Sequence, residues 1–114
     1  MSRYVVVADF DLTDVGTRFS LEEVRDNVNR ESGEMLGHYY DVKALDGRFR
    51  RKMLTVRVDT YNRDITNDDI VKNEQVVVTF KNIKVSSIQP RRAEGLRVFY
   101  IADEIEVLEK VPIE

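Results

Sequence analysis

His38-Tyr39-Tyr40-Asp41-Val42-Lys43-Ala44-Leu45-Asp46-Gly47-Arg48-Phe49-Arg50-Arg51-Lys52-Met53-Leu54-Thr55-Val56-Arg57-Val58 is the stretch that decides the fold class. Its second half alternates: Leu54, Val56 and Val58 are apolar, whereas Thr55, Arg57 and Asp59 are polar. Period-two alternation is the signature of a strand with one buried face. Asp46-Gly47 stands between two such runs, and an Asp-Gly pair there favours a tight turn with positive φ. The expected register sets Ala44 opposite Phe49 and Tyr40 opposite Met53. Tyr40 and Phe49 then share one face, with Tyr39 and Leu54 on the other.

Outward from this hairpin, strands continue to dominate. Residues 4–8 (Tyr-Val-Val-Val-Ala) read as a buried strand. Gln75–Lys81, Ile83–Ile88, Leu96–Ile101 and Ile105–Leu108 read as further strands, with a turn at Asn82 and a bulge at Ala102-Asp103. Pro90 to Gly95 reads as a loop. One helix is expected: Ser20 and Glu23 have capping-box spacing, Leu21, Val24 and Val28 recur at helical spacing, and Gly33 supplies a stop. The polar segment 61–74 is either a loop or a short helix. The fold class is therefore mainly β (β-rich α+β). The expected architecture is a small closed or partly closed OB-like barrel with one surface helix, because closure removes exposed edges. The 114 residues suit a single domain, 1–114.

Composition narrows the chemistry. There is no cysteine and one histidine, His38, which excludes thiolate metal sites and leaves little material for a zinc centre or a His-based triad. No apolar run approaches the roughly 18 residues of a membrane span. Met1-Ser2-Arg3-Tyr4 does not open a signal-peptide pattern, so a cytoplasmic protein is expected. The net charge of −3 is unevenly spread: −5 over 1–47, +6 over 48–97 and −4 over 98–114. A basic middle segment can hold a polyanion, because the local field acts within about 8–10 Å. Folding that interleaves the segments would instead neutralise it.

Cations and flat rings are interleaved in that segment. Single-stranded nucleic acid requires both: cations follow the phosphates, and rings stack bases at roughly 1–3 kcal/mol each. The candidate nucleic-acid-binding residues are Tyr39, Tyr40, Arg48, Phe49, Arg50, Arg51, Lys52 and Arg57, joined by Arg91 and Arg92 if their loop folds alongside. Some of Tyr39, Tyr40 and Phe49 must be core, since alternation prevents all three from facing a ligand. No cofactor or catalytic residue is expected, and the protein reads as a non-enzyme.

Asp9-Phe10-Asp11-Leu12-Thr13 resembles motif I of the haloacid-dehalogenase-like phosphatases, with Asp68-Asp69 as a candidate second acidic pair for Mg²⁺. That family requires a parallel sheet with repeated helical crossovers, which this strand-rich pattern lacks, and an acidic turn is the simpler account. A third class is a protein-interaction module. Glu22, Glu23 and Asp26 on the expected helix would meet a basic protein partner, or Leu96–Ile101 would pair in a homodimer.

Glu74-Gln75-Val76-Val77-Val78-Thr79-Phe80, followed by Asn82, Pro90, Gly95 and Tyr100-Ile101-Ala102-Asp103-Glu104-Ile105, resembles the small YdcP-like accessory proteins of Gram-positive conjugative elements. The likeness covers about a third of the chain, from Glu74 to Leu108. It implies a single-stranded-DNA-binding, helicase-associated role in replication or transfer of a mobile element, with a replication protein as a partner. It assigns no individual site residue.

Overall fold

The computed structural model describes residues 16–47, 50–60, 64–91 and 95–113, with backbone alone at 88–91 and 95–97. Strands dominate: β1 (Phe19–Val28), β2 (Met35–Ala44), β3 (Met53–Val58), β4 (Asn73–Lys81), β5 (Lys84–Arg91), β6 (Gly95–Ala102) and β7 (Glu104–Pro112). One short helix, α1 (Asn67–Lys72), precedes β4. The mainly β expectation is met. The strand expected at residues 4–8 lies outside the described residues.

β1, β2 and β3 form an antiparallel meander. The remaining strands are two halves of one bent antiparallel ribbon. Lys84 pairs with Ile101 in β5–β6, and Lys81 pairs with Glu104 in β4–β7, so the register continues through the bend. The bend is set by Asn82, with φ 55°, and Asp103. Asn82 Nδ2 donates to Asp103 Oδ2 at 2.7 Å, and Asp103 N–H donates to the Lys81 carbonyl at 2.9 Å. One half of the ribbon grips β3 through parallel β6, and the other grips β1 through β4.

The resulting sheet has the order β5-β6-β3-β2-β1-β4-β7 and is not closed into a barrel, because β5 and β7 do not pair. Each of these strands is a poor partner. β5 carries Pro90 and an irregularity between Val85 and Ser87, whereas β7 carries Pro112 and an extra residue opposite Val77–Val78. Proline and bulges remove the regular donor row that closure needs. Within Leu96–Ile101, β6 pairs with β5 along its length and with β3 only from Phe99 onward.

The expected helix at Ser20–Gly33 is instead β1 and the turn into β2. Its cause is a bulge: Leu21 pairs with Val42 and Glu23 with Asp41, which leaves Glu22 as an inserted residue. The insertion moves the next core position from 23 to 24. Leu21 and Val24 therefore share a face with helical spacing while the backbone remains a strand. Asn29 makes the turn, accepting from Glu31 N–H at 2.9 Å through Oδ1 and from Gly33 N–H through its carbonyl at 2.8 Å.

One core unites the inward residues Phe19, Leu21, Tyr40, Val42, Val56, Val58, Val76, Val78, Tyr100 and Ile105. Tyr40 and Phe80 lie two strands apart, yet their ring centroids are 6.3 Å apart, as the curl of the sheet requires. α1 occupies the gap where β1 leaves β4, which it accompanies only at Phe19 and Ser20. There Asn67 substitutes for a strand neighbour: its Oδ1 accepts from Val24 N–H at 2.8 Å, and its Nδ2 donates to the Val24 carbonyl at 2.9 Å. Thr66 and Asp69 close a capping box at the start of the helix.

Candidate nucleic-acid interface

The hairpin expected at Asp46-Gly47 forms, but with a longer connection and a different register. Lys43 pairs with Met53 and Tyr40 with Val56, so β2 ends at Ala44 and β3 starts only at Met53. Relative to the two-residue turn the register moves by three positions. An odd shift exchanges the faces of one strand relative to the other, and Leu54 accordingly joins Tyr40 in the core.

Asp46 explains the longer loop. Its carboxylate accepts from Thr17 N–H at 2.7 Å, the Thr17 hydroxyl at 2.8 Å and Arg18 N–H at 3.2 Å, tying the loop to the segment before β1. Burial acts to raise the Asp46 pKa but is outweighed by these donors and the Arg18 charge, so the carboxyl lies below its ordinary value. Gly47 does adopt the expected positive φ, 78°. At the far end of the loop, Ala44 N–H donates to the Lys52 carbonyl at 3.0 Å, and the Ala44 carbonyl accepts from Arg51 N–H at 2.8 Å. Ala44 thus opposes two residues, and the extra one, Arg51, is held at φ 74°. Such a position normally selects glycine.

Tyr39, Asp41 and Lys43 project from β2 onto the outer face of the sheet, opposite the core side chains Tyr40, Val42 and Ala44. Cross-strand pairing aligns Arg57, Tyr39 and Arg25 in one row over β3, β2 and β1. The Arg25 guanidinium carbon stands 5.6 Å from the Tyr39 ring centroid. Arg25 also pairs with Asp41 at 2.9 Å, Thr55 donates its hydroxyl to Asp41 at 2.8 Å, and Arg57 pairs with Asp59 at 3.0 Å. Part of the basic charge is therefore neutralised within the fold.

The end of this face near the β2–β3 loop is different. Arg50, Arg51 and Lys52 are exposed in the loop, Lys43 is exposed beside it, and among the described residues no ion pair engages any of them. Lys43, Arg50, Arg51, Ser20, Glu22 and Gln75 line an open cleft of about 350 Å³. Because β3 and β6 run parallel, with Thr55 opposite Phe99, the start of β6 lies at this same end. Arg91 is in β5 with only its backbone described, whereas Arg92, Arg48 and Phe49 lie outside the described residues.

Tyr40 must be removed from the candidate ligand residues. It is fully buried, its ring 5.7 Å from that of His38, and its hydroxyl has no hydrogen-bond partner among the described residues. Burial pushes that hydroxyl up to about 12. His38 is also buried, with Nδ1 3.3 Å from Asp26 Oδ1. Arg25, beside Tyr39, and Lys43, Ser20 and Gln75, lining the cleft, are candidate residues that sequence reasoning missed. Arg25 was hidden by the helical reading of β1.

Two rival constellations change as well. Glu22, Glu23 and Asp26 lie on β1, so no helix presents them as an acidic face. Asp69 is engaged as a helix cap and accepts from Lys110 Nζ at 3.2 Å, a structural role for that carboxylate, whereas exposed Asp68 pairs with Lys72 at 3.8 Å. Asp9 and Asp11 lie outside the described residues. Among the described residues, no helix is long and apolar enough to cross a membrane. Comparisons with protein-family models, curated proteins and solved structures give no significant match.

Proposed function

We propose that this chain is a non-catalytic polyanion-binding domain of the OB type. Its particular ligand, on this reading, is single-stranded DNA or RNA, bound across the outer face of β3, β2 and β1. The observation that carries the proposal is a half-buried outer-face ring, Tyr39, with exposed cations at one end of that face that have no ion-pair partner among the described residues. Tyr39 and Lys43 are four residues apart on the same side of β2, about 13 Å at strand rise. Arg50, Arg51 and Lys52 extend the cationic end.

The connectivity supports the OB reading. A three-strand meander, a helix and a bent two-strand ribbon are consistent with a partly open five-stranded Greek-key barrel whose second and third strands face the ligand. The internal ion pairs do not oppose it. Arg25–Asp41 is exposed on the arginine side, and such pairs contribute about 0–1 kcal/mol. Stacking one base on Tyr39 is worth about 1–3 kcal/mol, enough to redirect Arg25 toward a phosphate. A role as an accessory factor in replication or in transfer of a mobile element, in a cytoplasmic setting, follows from the likeness of residues 74–108 described above. The exposed residues Val28, Met35 and Leu36 at the β1–β2 turn would then serve contact with a replication protein.

Fluorescence anisotropy with oligo-dT, oligo-U and a duplex of equal length, at low and moderate salt, tests the function. Salt-sensitive binding that prefers single strands is expected. Arg50→Ala with Arg51→Ala should reduce the log–log salt slope by about 0.7 per lost cation. Absence of binding to any of the three at low salt overturns the proposal.

A further inference from the structure

The cleft beside the β2–β3 loop has a composition unlike the rest of the outer face. Lys43, Arg50 and Arg51 converge there against one carboxylate, Glu22, which the β1 bulge inserts into the strand beside it. Ser20 and Gln75 add neutral hydrogen-bonding groups. Its volume, about 350 Å³, lies at the small end of the range for ligand sites. It also stands to one side of the β3–β2–β1 face, on the flank where β1 meets β4, so a strand crossing that face would reach it last.

We infer that this cleft binds a terminal phosphate monoester at the end of the single strand. The inference rests on the nucleic-acid reading above and refines it. A phosphate monoester carries about −1.5 to −2 at neutral pH, compared with a single charge on a backbone diester. Three cations around one cleft with no ion-pair partner among the described residues, opposed by a single lining carboxylate, suit the more highly charged group. The φ of 74° at Arg51 is held by its bond to the Ala44 carbonyl, and Asp46 anchors the loop to Thr17 and Arg18. Arg51 is thus tied to β2 by its backbone and Lys43 is held in β2, which lowers the ordering cost of binding.

The experiment compares three labelled single strands of one sequence, at one ionic strength: 5′-phosphorylated, 3′-phosphorylated and without a terminal phosphate. One of the phosphorylated strands should bind about tenfold more tightly than the unphosphorylated strand. Lys43→Ala and Arg51→Gly should abolish that preference while leaving residual binding. Glycine suits the backbone at position 51, so the second variant removes the cation without straining the loop. Equal affinity for all three strands overturns the end-binding inference and leaves the nucleic-acid reading intact. Failure of every strand to bind overturns both. Inorganic phosphate and a nucleoside monophosphate serve as competitors. If inorganic phosphate displaces the phosphorylated strand as effectively as the nucleotide, the cleft is a free-phosphate site and the end-binding inference fails.

Discussion

Replacing Asn67 with alanine isolates the device that holds β1 where it parts from β4. The side chain makes two hydrogen bonds to the backbone of Val24, at 2.8 and 2.9 Å, in a part-buried setting. Val24 is only 9% exposed, so water can replace those bonds only in part. Each unmet buried backbone group costs about 1–3 kcal/mol. Two such groups, partly rehydrated and offset by the few tenths that alanine gains as a helix former, give a net loss of about 2–3 kcal/mol. At about 4–8 °C per kcal/mol for a domain of this size, the midpoint should fall by about 10–20 °C. Thermal unfolding would measure the midpoint and urea denaturation the free-energy loss, each followed by far-UV circular dichroism and tyrosine fluorescence, the chain having no tryptophan. Asn67→Asp retains the acceptor and loses the donor, so it should fall between wild type and alanine. A loss below about 0.5 kcal/mol for Asn67→Ala would refute the claim that this side chain acts as a surrogate strand.

Further consequences follow from the same geometry. Asp46 and Asp69 both have carboxyl pKa values below the ordinary one. For Asp69, burial is outweighed by the Thr66 backbone N–H, Lys110 and the Thr66 hydroxyl. A folded pKa below the unfolded one adds stability above about pH 4, which is lost as pH falls through the folded value. Asp46→Asn should therefore flatten the decline in stability on acidification below about pH 4, as read from denaturation midpoints; an unchanged acid slope would count against the clamp. Gly37 has φ 148°, and a β-carbon there would clash with the Val58 carbonyl oxygen and lie 2.8 Å from the Asp59 Cα. Gly37→Ala should cost more than about 2 kcal/mol, because the Val58–Thr60 backbone must shift and alanine is strained at this φ. Tyr40→Phe removes a buried hydroxyl that has no partner among the described residues. It should leave stability unchanged or raise it by up to about 1 kcal/mol, and oligonucleotide binding should not change.

How far the sequence discloses this fold depends on whether pairing is local. Leu54, Val56 and Val58 alternate in sequence and are all buried, so β3 could be read directly. Asn82 and Asp103 were legible as interruptions, though not as the two sides of one bend, because only the ribbon register places them together. The parallel pairing of β3 with β6 joins Thr55 to Phe99, a partnership that no local pattern encodes. β1 was misread because the bulge at Glu22 turns strand alternation into the three-residue step of a helix. Of the candidate site, Arg50, Arg51, Lys52 and Tyr39 were legible from the mixture of cations and rings. Alternation already set Tyr39 and Tyr40 on opposite faces, but deciding that Tyr40 is the core ring, on one face with Leu54, required the true register, and recognising Arg25 required β1 to be a strand. Lys43 was passed over because one cation in an alternating strand looks like ordinary solvated charge.

The most direct test of the nucleic-acid account is a ¹H–¹⁵N NMR titration of the intact chain with a short 5′-phosphorylated single strand. The account predicts salt-sensitive shifts at Arg25, Tyr39, Lys43, Arg50, Arg51, Lys52 and Arg57, with α1 and the core residues Val56 and Val78 unmoved. Shifts confined to α1 and β7, or none at low salt, would contradict it.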